Sequence, residues 1–152
     1  MNRTPNINPD SNLDSNSNLH CKTVFVALAC GQLERMAQFY GQVFGLEPAV
    51  QLPGVYAEFR LPGLRLGLFK PGAHNPEFAG LGDRPAGAMS LCVEVRNLEA
   101  AMAAIAAAYQ QLQPNATVPT PMGNLVEASH GREVYAYDPE GNRIILHEGK
   151  EP

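Results

Sequence analysis

Apolar residues recur along this chain with two alternating periods, and the switches between them mark the elements. In TVFVALA, Val24, Val26 and Leu28 fall on one face of a strand and Thr23, Phe25 and Ala27 on the other. Both faces are largely apolar, so cover on both sides is expected. In the next stretch Leu33, Met36, Ala37, Tyr40 and Phe44 recur at three- and four-residue steps. That spacing predicts an amphipathic helix, stopped by Gly45 and Pro48. VYAEFRLPGLRLGLF then reads as a hairpin about Pro62-Gly63, a dipeptide suited to the centre of a type II turn.

The same order returns. Leu91, Val93, Val95, Leu98 and Glu99 match Val26, Leu28, Cys30, Leu33 and Glu34 at a constant offset of 65 residues. LEAAMAAIAAAY supplies a second helix of strong helix formers. A strand edged by prolines is expected around TVPTP. REVYAYDPEGNRIILHE closes the repeat with two strands about a DPEGN turn. Matching Gly67 to Ile145 gives an offset of 78, so the second copy carries 13 extra residues, expected as a long loop between Gln111 and Gly131.

These assignments divide the chain into an arm (1–21), a first βαβββ module (22–70), a turn-rich linker (71–87) and a second βαβββ module (88–149). The arm is rich in Asn, Ser, Asp and Pro and has too few apolar residues for a packing face, so it reads as disordered. It has no apolar signal core, and no later stretch has the length of a membrane span.

Charge narrows the partners. A net charge of -4, with 11 scattered Lys and Arg, leaves no basic footprint for nucleic acid. Cys21, Cys30 and Cys92 are odd in number and lack metal-ligand spacing, which argues against a disulfide framework or structural zinc. A reducing cytoplasm is the expected compartment.

The opening VALACGQLERMAQFYGQVFGLE and the closing DPEGNRIILHE, at this separation and with the internal repeat, resemble the vicinal oxygen chelate superfamily. That family contains glyoxalase I, bleomycin resistance proteins, extradiol dioxygenases and fosfomycin resistance enzymes. The resemblance covers about Thr23 to Glu148. It implies an α+β fold in which two tandem βαβββ modules form a cupped, barrel-like mixed sheet with the helices outside. Modules are paired in the family either within one chain or between two chains, so a homodimer is an expectation that the sequence leaves open.

With that arrangement, strand parity assigns the cavity lining. Phe25 and Ala27 face inward from the first strand, and Ser90, Cys92 and Glu94 from its repeat. The Pro62-Gly63 turn places Tyr56, Glu58 and Arg60 on the same face as Arg65, Gly67 and Phe69. If Asp138 pairs with Asn142 and Gly141 is left-handed, Tyr135 and Tyr137 lie opposite Ile145 and Arg143, with His147 on the same side. A Tyr three positions before the DP pair reaches the active site in fosfomycin-type enzymes, and Tyr135 matches it.

Metal-binding members of the family commonly use a His or Gln on each module's first strand and a Glu or His on each last strand. Those positions align with Phe25 and Ser90, then Gly67 and Ile145, none of which offers an imidazole or carboxylate. A slip of one residue brings only Val24 or Val26, Met89 or Leu91, Leu66 or Leu68, and Ile144 or Leu146. The usual metal centre is therefore expected to be absent, and no cofactor is predicted.

What remains is a cavity suited to a small organic molecule, with Phe25, Tyr56, Phe69, Tyr135 and Tyr137 as stacking surfaces. His147 is the best candidate for proton transfer. Glu58 and Glu94 are expected to be ion-paired by Arg60 and Arg65, and Cys92 to act as a small hydrophobe. His74 and His130, in the linker and the long loop, are lid candidates. The leading expectation is a metal-independent small-molecule binder. The alternatives are a lyase, isomerase or dioxygenase with metal ligands relocated to His147, Glu58, Glu94 and a loop His, or a scaffold with a filled cavity.

Overall fold

The computed structural model describes residues 22–79, 89–117 and 119–151. The predicted arm, residues 80–87 of the predicted linker and residue 88 of the predicted second module lie outside them. The first half runs β1 (Val26–Ala29), α1 (Leu33–Phe44), β2 (Val50–Leu52), β3 (Tyr56–Leu61) and β4 (Leu64–Phe69). The second runs β5 (Leu91–Glu94), α2 (Leu98–Leu112), β6 (Val126–Ala128), β7 (Gly131–Tyr137) and β8 (Arg143–Gly149). A short 3-10 turn, Pro76–Phe78, follows the first half.

Each half forms its own four-stranded sheet, in the orders β1-β4-β3-β2 and β5-β8-β7-β6. In each sheet the first strand lies parallel to the last and the other pairs are antiparallel. Among the described residues no strand ladder joins the sheets, so their faces form an open pair rather than a closed barrel. Ala27 pairs with Gly67 and Cys92 with Ile145, which reproduces the repeat in three dimensions.

The hairpins keep the register that their turns dictate. Arg60 pairs with Arg65 and Leu61 with Leu64 about Gly63, whose φ of 75° is the left-handed value that a type II turn requires. Tyr137 pairs with Arg143 and Tyr135 with Ile145. Asp138 N–H donates to the Asn142 carbonyl at 2.9 Å, with Gly141 at φ 84°. The third strand of the second half differs from expectation: the described residues around TVPTP, which leave out 118, form no strand, and β6 lies at Val126–Ala128. Pro119 and Pro121 have no N–H to give a ladder.

Helix α1 stops in a Schellman arrangement, with Leu46 N–H on the Gly41 carbonyl at 2.9 Å, Gly45 N–H on that of Gln42 at 3.3 Å, and Gly45 at φ 63°. Helix α2 begins where the Asn97 side chain accepts from Ala100 N–H at 2.7 Å and Glu148 accepts from Leu98 N–H at 2.6 Å. The helices pack on each other through an edge-to-face pair, Phe39 and Tyr109, with ring centroids 5.3 Å apart. A single core joins both halves: Met36, Phe39, Tyr40, Phe59, Leu66 and Leu68 bury together with Ile105, Val134, Ile144 and Leu146. One face of each sheet therefore covers the helices, and the other carries what chemistry the protein has.

Candidate functional site

Strand parity separates the two faces. Phe59, Leu66, Leu68, Val134, Ala136, Ile144 and Leu146 are buried against the helices. The alternate positions Ala27, Cys92, Glu94 and Tyr135 are exposed, with Tyr135 at 41% and Phe25, just before β1, at 40%. These are faces on which a ligand can lie.

In the first half, the Arg65 guanidinium lies 4.5 Å from the centre of the Phe25 ring. Glu58, only 7% exposed, accepts from Tyr56 Oη at 2.8 Å. Its other oxygen is 3.9 Å from the Nε atoms of both Arg60 and Arg65. Burial, followed by the bond to Glu58, raises the Tyr56 phenol above its ordinary pKa, so it serves as a donor. Phe69 packs edge-to-face on Phe78 at 5.3 Å.

At the equivalent place in the second half, Arg143 Nε donates to Ser90 Oγ at 2.7 Å. Tyr135 Oη donates to Glu133 at 3.2 Å, and that bond raises its pKa. Tyr137 presents its carbonyl to the Tyr109 hydroxyl at 2.7 Å. Cys92 stands beside Ile145, its thiol held up by partial burial and then by the Glu94 and Glu133 charges. It therefore rests as a thiol.

At the end of β8, His147 Nδ1 is 2.6 Å from Glu94 Oε2, and His147 Nε2 is 2.9 Å from His130 Nδ1. Glu94 Oε1 also accepts from Gly149 N–H at 2.8 Å. The bonds from His147 and then from Gly149 hold the Glu94 carboxyl below its ordinary range. This corrects the expectation that arginines pair with Glu94: its partner is His147. His130, expected as a lid residue or as the loop His of a relocated metal site, is joined here to His147. It sits in the turn just before β7, and nothing in its local sequence announces a partner on β8.

Three of the four positions of the usual metal ligands are otherwise engaged. A Cβ at Gly67 would stand 2.7 Å from Tyr56 Oη and 3.1 Å from its ring, so Tyr56 occupies the space that a ligating side chain there would need. Phe25 covers Arg65, and Ser90 takes a bond from Arg143. Among the described residues no group of three His, Cys, Asp or Glu is placed to hold a metal ion.

The fourteen predicted lining residues do not share one cavity. A cavity of about 500 Å³ between β1 and the β5–β8 edge is lined by Phe25, Ala27, Ser90 and Arg143, with Tyr40 at its back. A second, of about 880 Å³, lies between the end of the β3–β4 hairpin and β5, lined by Arg60, Leu61, Leu64, Cys92 and Glu94. Tyr56, Glu58, Arg65, Phe69, Tyr135, Tyr137, Ile145 and His147 line neither. The two halves sit side by side through their helices, and that placement divides the lining.

A family model, the Glyoxalase/Bleomycin resistance protein/Dioxygenase superfamily, matches residues 22–146. No curated protein matches the chain. Among solved structures, a glyoxalase-related enzyme from Fulvimarina pelagi has a TM-score of 0.64 at 23% identity, covering 85% of this chain and 89% of that one. The genomically encoded fosfomycin resistance protein FosX from Listeria monocytogenes has a TM-score of 0.63 at 15% identity, covering 84% and 93%. TnmS3, an antibiotic binding protein from a Streptomyces species, has a TM-score of 0.57 at 18% identity, covering 83% and 93%. At these identities the structures share the fold. With its paired βαβββ halves and a family match over nearly all the described residues, this chain belongs to the Glyoxalase/Bleomycin resistance protein/Dioxygenase superfamily.

Proposed function

We propose that this protein binds a small, flat organic molecule on the open faces of its sheets, without the metal centre used by many members of its superfamily. The observation that carries the reading is the fate of the ligand positions. Tyr56 fills the space at Gly67, and the two first-strand positions, Phe25 and Ser90, are each joined to an arginine. An aromatic face backed by a guanidinium and a second arginine held at a hydroxyl suit a planar compound with polar edges. The antibiotic-binding relative uses the same fold, which is compatible with this class of ligand.

In the same reading two copies complete the site, since each sheet leaves Phe25 or Tyr135 uncovered in one chain. A thermal-shift screen of planar aromatic compounds, followed by calorimetry, tests the binding. Stabilisation by a flat ligand, weakened in Phe25→Ala and Tyr135→Ala, is expected. A library that never raises the melting temperature would sink the reading, and light scattering in solution decides the dimer.

A further inference from the structure

We propose that Glu94, His147 and His130 form a proton relay that makes His130 Nε2 a base for a weakly acidic hydroxyl compound, a phenol or an enol, bound on the open face of the second sheet. This rests on the small-molecule reading above.

The direction of the chain follows from its acceptor end. Glu94, ionised, accepts from Gly149 N–H and from His147 Nδ1–H at 2.6 Å. A neutral imidazole with its proton on Nδ1 has a bare Nε2. His147 Nε2 therefore accepts, and His130 Nδ1–H donates across the 2.9 Å contact. This leaves His130 Nε2 with a lone pair at the exposed end of the chain. Side chains on this face include Cys92 and Glu94 from β5, Glu133 and Tyr135 from β7, and Arg143 and His147 from β8; Lys150 donates its backbone N–H to the His130 carbonyl.

The step balances within the relay. The ligand O–H bond breaks and its proton bonds to His130 Nε2, while the proton on His130 Nδ1 moves to His147 Nε2. His147 becomes an imidazolium beside the Glu94 carboxylate, and the ligand is left as its oxyanion. A strong acid would arrive already ionised and an alcohol would not give up its proton, so the chemistry selects a hydroxyl that titrates near neutrality.

The probe is 4-nitrophenol, whose anion absorbs in the visible. It is titrated with the full chain below the pH at which it ionises in water. Calorimetry counts the bound probe and absorbance reports its ionised fraction. The wild-type protein is expected to raise the acidity of bound probe by about one unit, roughly a tenfold rise in the ratio of ionised to neutral form. His130→Gln should lose this rise, and its melting temperature checks that the variant is folded. His147→Gln should lose it too, and Glu94→Gln should displace the pH profile of ionisation, which a purely structural role would leave in place. Probe that binds in its neutral form, or ionises equally in His130→Gln, overturns the relay and leaves the binding reading standing. Probe that does not bind at all overturns the relay as a site for phenols, while the binding reading stands or falls on the screen of planar compounds.

Discussion

Tyr40 in α1 donates its hydroxyl at 2.8 Å to Asp138, a carboxylate 98 residues away in the turn between β7 and β8. Asp138 is only 2% exposed, and its oxygens also accept from Glu140 N–H, Asn142 N–H and Asn142 Nδ2. Burial raises its pKa, and the bonds from Asn142 and Tyr40 oppose the rise. A closing turn of the second half is thus tied to the helix of the first.

Tyr40→Phe keeps the ring, which packs at 5.2 Å on Phe39, and removes only the donor. The buried carboxylate then loses one partner, a loss that typically costs about 1–3 kcal/mol. Urea unfolding of the variant measures it. An unchanged midpoint would mean that water replaces the phenol and that the tie contributes no stability.

Gly67→Ala should destabilise the first sheet by about 1–3 kcal/mol, the usual range for overpacking. The new methyl would meet the Tyr56 hydroxyl and push it from its bond to Glu58. In a Tyr56→Ala background the same substitution should cost much less. A double-mutant cycle with no coupling would disprove the contact.

Arg132 bridges Glu99 at 2.7 Å and Glu148 at 2.8 Å, and both carboxyls are held below their ordinary range mainly by bonds from its guanidinium. A lowered folded pKa contributes stability above the unfolded value, lost as pH falls through the folded one. Asp138, with a raised pKa, runs the other way: its contribution is present below the unfolded value and fades as pH rises through the folded one. Arg132→Gln should therefore lower the melting temperature near neutrality and flatten its acid-side fall, followed from about pH 7 to about pH 3. Parallel curves for the two proteins would show that the bridge does not set the acid limb.

Ser90→His combined with Ile145→Glu restores two ligand types on one face of the adjacent strands β5 and β8, where Ile145 pairs with Cys92 and Ser90 lies two residues before it. Affinity for zinc or nickel, measured by calorimetry, should rise above that of the wild type. No gain would count against the positions assigned from the family resemblance.

The parts legible in the sequence are those that local chemistry determines. Pro62-Gly63 and the Asp138–Asn142 turn set both hairpin registers, and alternation then sorted Tyr56, Glu58, Tyr135 and His147 onto their faces. The third strand lies at Val126–Ala128 rather than around TVPTP, because Pro119 and Pro121 have no N–H to give a ladder. Partnerships across the fold left no local trace. The pairing of His130 with His147 and the filling of Gly67 by Tyr56 depend on how strands meet in space, and the division of the lining between two cavities depends on how the halves sit together.

The turn that binds Tyr40 also serves the start of its helix, for the Glu140 side chain accepts from Gln32 N–H at 2.9 Å. A ribosome delivers Gln32 and Tyr40 about a hundred residues before Asp138 and Glu140. During synthesis α1 must therefore wait, its first turn uncapped and its buried hydroxyl unanswered, until the turn between β7 and β8 has emerged. The repeat looks like two small proteins in series, yet its first half is finished only by the final hairpin.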